Sequence, residues 1–200
     1  SIKAAAALSH LLRTQRDAVG LSTFNNTVEL HLPARLNRQH MHLLYDELTA
    51  LEKEAKPQQT TDAISALHEI SERIHQRSLV VIFSDLFDSH AGLDELFAAL
   101  QHLRYNKHEV VIFHTVKQNE EMDFAFDNRP HRFVDLETGA EVKLNPSEVR
   151  KGYKEKLRAL EHELKTRCGQ YRIDYVEADI DQGFAPVLTA YLQKRMRMLK

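Results

Sequence analysis

The chain has 200 residues, a hydrophobic content of 42% and a formal net charge of -2. This length accommodates one sizeable domain with a buried core, and the ordinary composition argues against an intrinsically disordered chain. A nearly neutral charge provides no overall basic field, so nucleic acid and anionic membranes are not expected partners. No apolar run approaches the roughly 20 residues that a membrane-spanning helix needs.

The number of cysteines bears on the cellular compartment of the protein. Cys168 is the single cysteine, which excludes an internal disulfide framework and favours a reducing, cytoplasmic location. The sequence around it contains no histidine placed to activate the thiol, so a structural role is expected.

The chain opens at Ser1 directly on alanine-rich helical sequence. It therefore looks like part of a longer polypeptide.

The first elements predict a helix followed by a β-hairpin. Residues 1–16 are rich in alanine and leucine and predict the helix. Residues 17–24 read as a strand, and Asn25-Asn26 tolerates the left-handed backbone of a tight turn. Residues 27–32 alternate polar and apolar side chains, and Pro33 should end this second strand. We expect an antiparallel hairpin at the edge of the sheet.

Helices and strands then alternate along the rest of the chain. Expected helices cover residues 37–54, 93–104, 146–167 and 184–198, and a further helix is expected to begin at about residue 63. Expected strands are the continuous apolar runs 79–83 and 110–114, which are typical of buried parallel strands, and residues 173–176. This alternation predicts an α/β fold, a three-layer doubly wound and mostly parallel sheet, as one domain over residues 1–200. A small β insertion is expected at about 119–146.

Polar side chains converge where ligands bind such sheets, beyond the carboxyl ends of the strands. The candidates are Thr60, Thr61 and Asp62 before a helix, and Ser84 and Asp85 directly after the strand 79–83. Carboxylates and hydroxyls are hard oxygen ligands suited to Mg²⁺. The same residue types also cap helices and start turns, which is the structural alternative.

In order and spacing, these segments resemble a known fold family. Asp17-Ala18-Val19-Gly20-Leu21 and Phe24, then Thr60-Thr61-Asp62, then residues 79–85, look like a von Willebrand factor A domain. The set, together with residues 108–114 and the Phe133 to Gly139 turn, is similar to the bacterial family called domain of unknown function 58. The resemblance covers nearly the whole chain.

The resemblance implies a metal-ion-dependent adhesion site that holds Mg²⁺. In the family pattern, Thr61 (alternatively Thr60) and Asp85 match two of the expected metal ligands. An Asp-x-Ser-x-Ser motif would supply the others, and these 200 residues do not contain it. That motif follows the central first strand of such domains, which would precede Ser1. We therefore expect either that upstream residues complete the sheet or that its centre is irregular.

Two functions follow as hypotheses. The first is a non-enzymatic protein-interaction module, in which a partner carboxylate completes the metal site; the family resemblance implies an adaptor for a MoxR-type AAA+ ATPase. The second is a Mg²⁺-dependent phosphotransfer or hydrolase enzyme that uses Asp85. Asp85 and Asp88 are spaced D-x-x-D, and Lys117 is a weak candidate for the lysine such an enzyme needs. His114, at the end of a buried strand, is a further candidate site residue.

Overall fold

The computed structural model describes residues 1–25, 27–53, 63–85, 92–127, 129–134 and 141–198. Its α-helices are α1 (Ile2–Thr14), α2 (Arg38–Lys53), α3 (Ala63–Arg73), α4 (Leu93–Tyr105), α5 (Pro146–Gln170) and α6 (Ala185–Met198). Its strands are β1 (Val19–Phe24), β2 (Val28–Arg35), β3 (Leu79–Ser84), β4 (Glu109–Val116), β5 (His131–Val134), β6 (Glu141–Leu144) and β7 (Asp174–Asp179). The order of elements confirms the predicted α/β fold class.

A three-stranded parallel sheet forms the centre of the molecule. Its strand order is β3-β4-β7, and both pairings are parallel. β4 lies in the middle, and its residues from Val110 to His114 are all buried. The continuous apolar sequences of β3 and β4 are therefore explained, since a parallel strand in the middle of the fold is covered on both faces.

Helices cover both faces of this sheet. On one face, α3, α4 and α5 bury a large apolar cluster whose most enclosed members are Phe97, Leu100 and Leu103. On the other face, α1 and α6 pack against the sheet through Ala4 and Val187. The result is a helix–sheet–helix arrangement, compatible with a Rossmann-like fold.

The hairpin β1–β2 packs on helices rather than on the parallel strands. Its strands pair antiparallel, as predicted, and α2 covers it with Met41, Leu44 and Leu48. The side chain of Asn37 accepts a hydrogen bond of 2.7 Å from the backbone N–H of His40, which confirms Asn37 as the helix cap. Within the described residues, the hairpin is a sheet of its own. A continuous mostly parallel sheet is therefore not formed by this part of the chain.

The prediction that Pro33 ends the second strand is wrong. β2 continues to Arg35, and the pairing register shifts between Val19 and Leu21. Such an irregularity frees positions from the regular hydrogen-bond ladder, which suits a residue that has no N–H. The backbones approach closely here, since a Cβ on Gly20 would lie 2.7 Å from the carbonyl oxygen of Leu32. Gly20 is thus required by the proline-containing bend.

Two short strands lie within residues 119–146, where a small β insertion was predicted. β5 and β6 pair antiparallel, and a π-helical turn at Gln118–Met122 leads into this region. Phe124, Phe126 and Phe133 form an aromatic cluster with ring centroids 5.0–5.7 Å apart. Tyr153 of α5 joins it at 4.7 Å from Phe124. The insertion is therefore anchored to α5 by aromatic packing.

α5 is the longest helix of the described chain, with 25 residues. It begins at Pro146, as predicted, because proline is well tolerated in the first turn of a helix. Leu157, Leu164 and Cys168 form its buried stripe, and most other positions face solvent. Among the described helices, α5 included, none combines the length and the apolar character that crossing a bilayer requires.

Candidate functional site

The structure places one of the predicted metal ligands at the carboxyl edge of the sheet. Asp85 directly follows β3 and is half-buried, and Ser84 before it is half-buried too. Thr60, Thr61 and Asp62 lie outside the described residues, as does Asp88. The predicted convergence of Thr61 and Asp85 therefore stays a prediction.

His114 lies next to Asp85. The two strands align so that Ser84 of β3 pairs with His114 of β4. The His114 side chain is 2% exposed and faces the backbone of Asp85. The ring of the central strand thus lies beside the residue that directly follows β3.

Tyr175 of β7 forms a hydrogen bond with His114. Nδ1 of His114 and the hydroxyl of Tyr175 are 2.5 Å apart, and the two ring centroids are 5.7 Å apart. Tyr175 pairs with Ile112 and Glu177 pairs with His114, so all four side chains point to one face of the sheet. That face is the one covered by α5.

An ion-pair network borders the His114–Tyr175 pair. Lys165 of α5 bonds to Glu161, four residues earlier on the same helix, and lies 2.6 Å from the carboxylate of Glu177. Its ammonium group is also 5.9 Å from the centre of the Tyr175 ring. The lysine side chain is 50% exposed, so this network lies on the solvent side of the His114–Tyr175 pair.

Burial and charge set the protonation of the cluster. Burial lowers the pKa of His114, and the nearby backbone of Asp85 only partly opposes this. Burial raises the pKa of Tyr175, so the phenol keeps its proton at neutral pH. The hydrogen bond from Lys165 lowers the pKa of Glu161, and the same bond raises the pKa of Lys165. The cluster is thus a neutral pair, the buried His114 and the half-buried Tyr175, beside a charged triad.

His114 is enclosed beside Asp85 at this edge of the sheet. A general acid or base must reach the proton that it transfers, which a ring enclosed in this way does not do. We call the group of His114, Tyr175, Glu161, Lys165 and Glu177 the polar cluster.

The residues described do not make up a Mg²⁺ site by themselves. Mg²⁺ prefers octahedral coordination by oxygen, and a buried neutral imidazole such as that of His114 is not a ligand of this kind. In the described ranges, no three His, Cys, Asp or Glu side chains are grouped to hold a metal ion. Asp85 is therefore the one predicted ligand whose position is consistent with the proposed site.

Most of the polar cluster was not predicted. Glu161 and Lys165 carried a local signal, because oppositely charged residues four apart pair on a helix. Tyr175 and His114 are 61 positions apart, and only the pairing of β4 with β7 brings them together. The expectation for Cys168 is consistent with its environment: it is 1% exposed, and burial raises its pKa to about 11.

Comparison with known proteins identifies one family. The model of the family described as protein of unknown function DUF58 matches residues 1–163, which is most of the chain. The match runs from α1 through most of α5 and includes Asp85, His114 and Glu161. No curated protein sequence and no solved structure matches the chain.

Proposed function

The chain belongs to the DUF58 family of proteins of unknown function, and from this premise we propose that it is a non-enzymatic protein-interaction module. Its contact surface in this proposal is the carboxyl edge of β3 and β4, centred on Asp85. The fold is further proposed to be of the von Willebrand factor A type. The parallel sheet, the helices on both faces and the antiparallel hairpin are compatible with that assignment.

The observation that supports a module is the environment of Asp85. The imidazole beside it is 2% exposed and bonds to Tyr175. An enzyme that used Asp85 for phosphotransfer would need an acid or base within reach of its substrate. His114 is enclosed where such a group would be required, and it stabilises the edge instead.

A Mg²⁺ ion is part of the proposal only together with residues beyond those described. Asp85 would supply one oxygen ligand, and Thr61, or Thr60 in its place, would supply a second. An acidic side chain of the partner would complete the coordination. The metal would then bridge two proteins, with no bond made or broken.

The proposed partner is a MoxR-type AAA+ ATPase, and the proposed location is the cytoplasm. Both follow from the family resemblance and from the use of a single cysteine. The fold alone does not specify a partner, because one fold serves many functions. The partner is therefore tested directly below.

Calorimetric titration with Mg²⁺ and Mn²⁺ tests the metal part of this proposal. It compares the chain with a version extended upstream, and adds the variants Thr61→Ala and Asp85→Ala. Asp46→Ala, on an exposed position of α2, is the matched control. We expect the extended version to bind the metal ion, Asp85→Ala and Thr61→Ala in that version to abolish binding, and Asp46→Ala to preserve it. Binding that survives Asp85→Ala would contradict the proposed ligand set.

Hydrolysis of a generic phosphomonoester in Mg²⁺ distinguishes the enzymatic alternative. The module is expected to show no turnover above the buffer rate. Metal-dependent turnover that Asp85→Ala abolishes and Asp46→Ala leaves intact would overturn the module and favour the phosphotransfer or hydrolase enzyme.

A further inference from the structure

Two histidines meet between α3 and α4, away from the carboxyl edge. His68 of α3 and His102 of α4 place their Nδ1 atoms 3.3 Å apart, with ring centroids 5.5 Å apart and ring planes inclined by 44°. Both side chains are half-buried. Solvent therefore reaches the pair, and neither ring is enclosed in the core.

The two helices hold this separation firmly. α3 and α4 pack side by side, and both contribute buried residues such as Leu67 and Leu103 to one apolar cluster. Close to the pair, the amide of Asn106 donates to the hydroxyl of Ser71 over 3.2 Å and ties the two helical segments together. The histidines are thus presented on a preorganised surface, which reduces the entropy lost on binding a ligand.

The distance fits a shared metal ion. Two imidazole nitrogens that each lie about 2.0–2.1 Å from a tetrahedral Zn²⁺ are about 3.3–3.4 Å apart. A direct N–H···N hydrogen bond spans a similar distance and requires one ring to carry its proton on Nδ1 while the other leaves its Nδ1 unprotonated. The observed 3.3 Å fits a metal bridge as well as such a hydrogen bond, and the titration below distinguishes the two.

We propose that His68 and His102 bind a divalent transition-metal ion of the Zn²⁺ class through their two Nδ1 atoms. Imidazole suits Zn²⁺, Cu²⁺ and Ni²⁺, whereas Mg²⁺ prefers oxygen. This site is therefore separate in place and in chemistry from the Mg²⁺ site proposed at Asp85. The two can succeed or fail independently.

Two coordination positions remain for other ligands. Among the described residues, no third His, Cys, Asp or Glu joins the pair. Both rings are half-buried, so water or a donor from another molecule can reach these positions. Such an open site holds an exchangeable ion, in contrast to the four-ligand sites that stabilise whole folds.

Calorimetric titration of the chain with Zn²⁺, in a buffer that does not bind metals, tests this proposal. The chain has 12 histidines, so a variant with an unrelated histidine removed is needed. His162→Ala, on an exposed position of α5, is that control. We expect one equivalent to bind with an affinity that His68→Ala and His102→Ala each weaken at least tenfold and His162→Ala leaves unchanged. An excess of Mg²⁺ is not expected to displace it.

A second readout guards against variants that fold poorly. Co²⁺ in place of Zn²⁺ gives a visible absorption spectrum that reports its coordination, and Zn²⁺ should raise the Tm of the parent chain. We expect both signals from the parent and from His162→Ala. If the double variant His68→Ala/His102→Ala keeps both signals, or the parent shows neither, the pair is a hydrogen bond and the proposal is wrong.

Discussion

The two faces of the parallel sheet differ near the carboxyl ends of its strands. On the face covered by α1 and α6, apolar packing continues to Phe113 of β4, which is fully buried and stacked on Phe83 at 5.2 Å. On the face covered by α5, the next residue of the same strand is His114, and the polar cluster begins there. One face is thus specialised for stability, and the other positions Asp85. The following predictions test this difference.

Phe113→Ala should cause the largest loss of stability. The ring is fully buried, so its removal costs its transfer free energy and leaves a cavity. We expect the free energy of unfolding to fall by about 3–5 kcal/mol, measured by urea denaturation. Tyr105→Ala, at a site that is 85% exposed, is the control and should change it by less than about 0.5 kcal/mol. Equal effects at the two sites would refute the assignment of the core.

Tyr175→Phe should have a smaller effect that depends on His114. The change removes the hydroxyl that bonds Nδ1 of the buried imidazole, for which a cost of about 1–3 kcal/mol is expected. In a double-mutant cycle with His114→Leu, the two losses should sum to more than the loss of the double variant. Strict additivity would show that the two side chains do not interact.

The stability of the fold should depend on pH through His114. Burial lowers the pKa of this ring below its ordinary value of 6.5, so at acidic pH the unfolded chain binds a proton that the folded chain resists. The contribution of the neutral His114 ring to the free energy of unfolding is complete when the pH is above that ordinary pKa and is lost as the pH falls below it. In urea denaturation between about pH 7 and pH 5, His114→Gln should lose less stability than the parent. His31 and His108, whose pKa values burial also lowers, remain in both proteins and cancel. If the free energy of unfolding depended on pH equally in both proteins, the role assigned to His114 would be contradicted.

Lys165→Met should have the smallest effect. Lys165 bridges Glu161 and Glu177, yet it is half-exposed, and exposed ion pairs contribute at most about 1 kcal/mol. The loss should shrink as salt is added, because salt screens exposed charges. Lys3→Met, from a pair at 3.6 Å in which Lys3 is 77% exposed, should have no measurable effect. A loss above about 2 kcal/mol that salt does not change would mean that the cluster is more enclosed than described.

Local patterns in the sequence were enough to predict the framework. The apolar runs of β3 and β4 and the Asn37 cap each depend on a few neighbouring residues, and each is confirmed. Pro33 was misread because its tolerance depends on Gly20, which lies on the opposite strand. The expected central strand stays a prediction.

The candidate sites depend on contacts between distant residues. Asp85 could be selected because it follows a buried strand, whereas the enclosure of His114 depends on β7 and α5. His68 and His102 are 34 positions apart, and nothing around either residue marks the pair. Thr60 and Thr61 lie outside the described residues, so their part in the site stays a prediction.

The central claim is that the edge centred on Asp85 binds a protein. The direct measurement is the affinity of the upstream-extended chain for a purified MoxR-type AAA+ ATPase, by calorimetry in Mg²⁺. The account predicts binding by the parent and by Asp46→Ala, weakened at least tenfold by Asp85→Ala. Binding by Asp85→Ala with the affinity of the parent, or no binding by the parent, would contradict it.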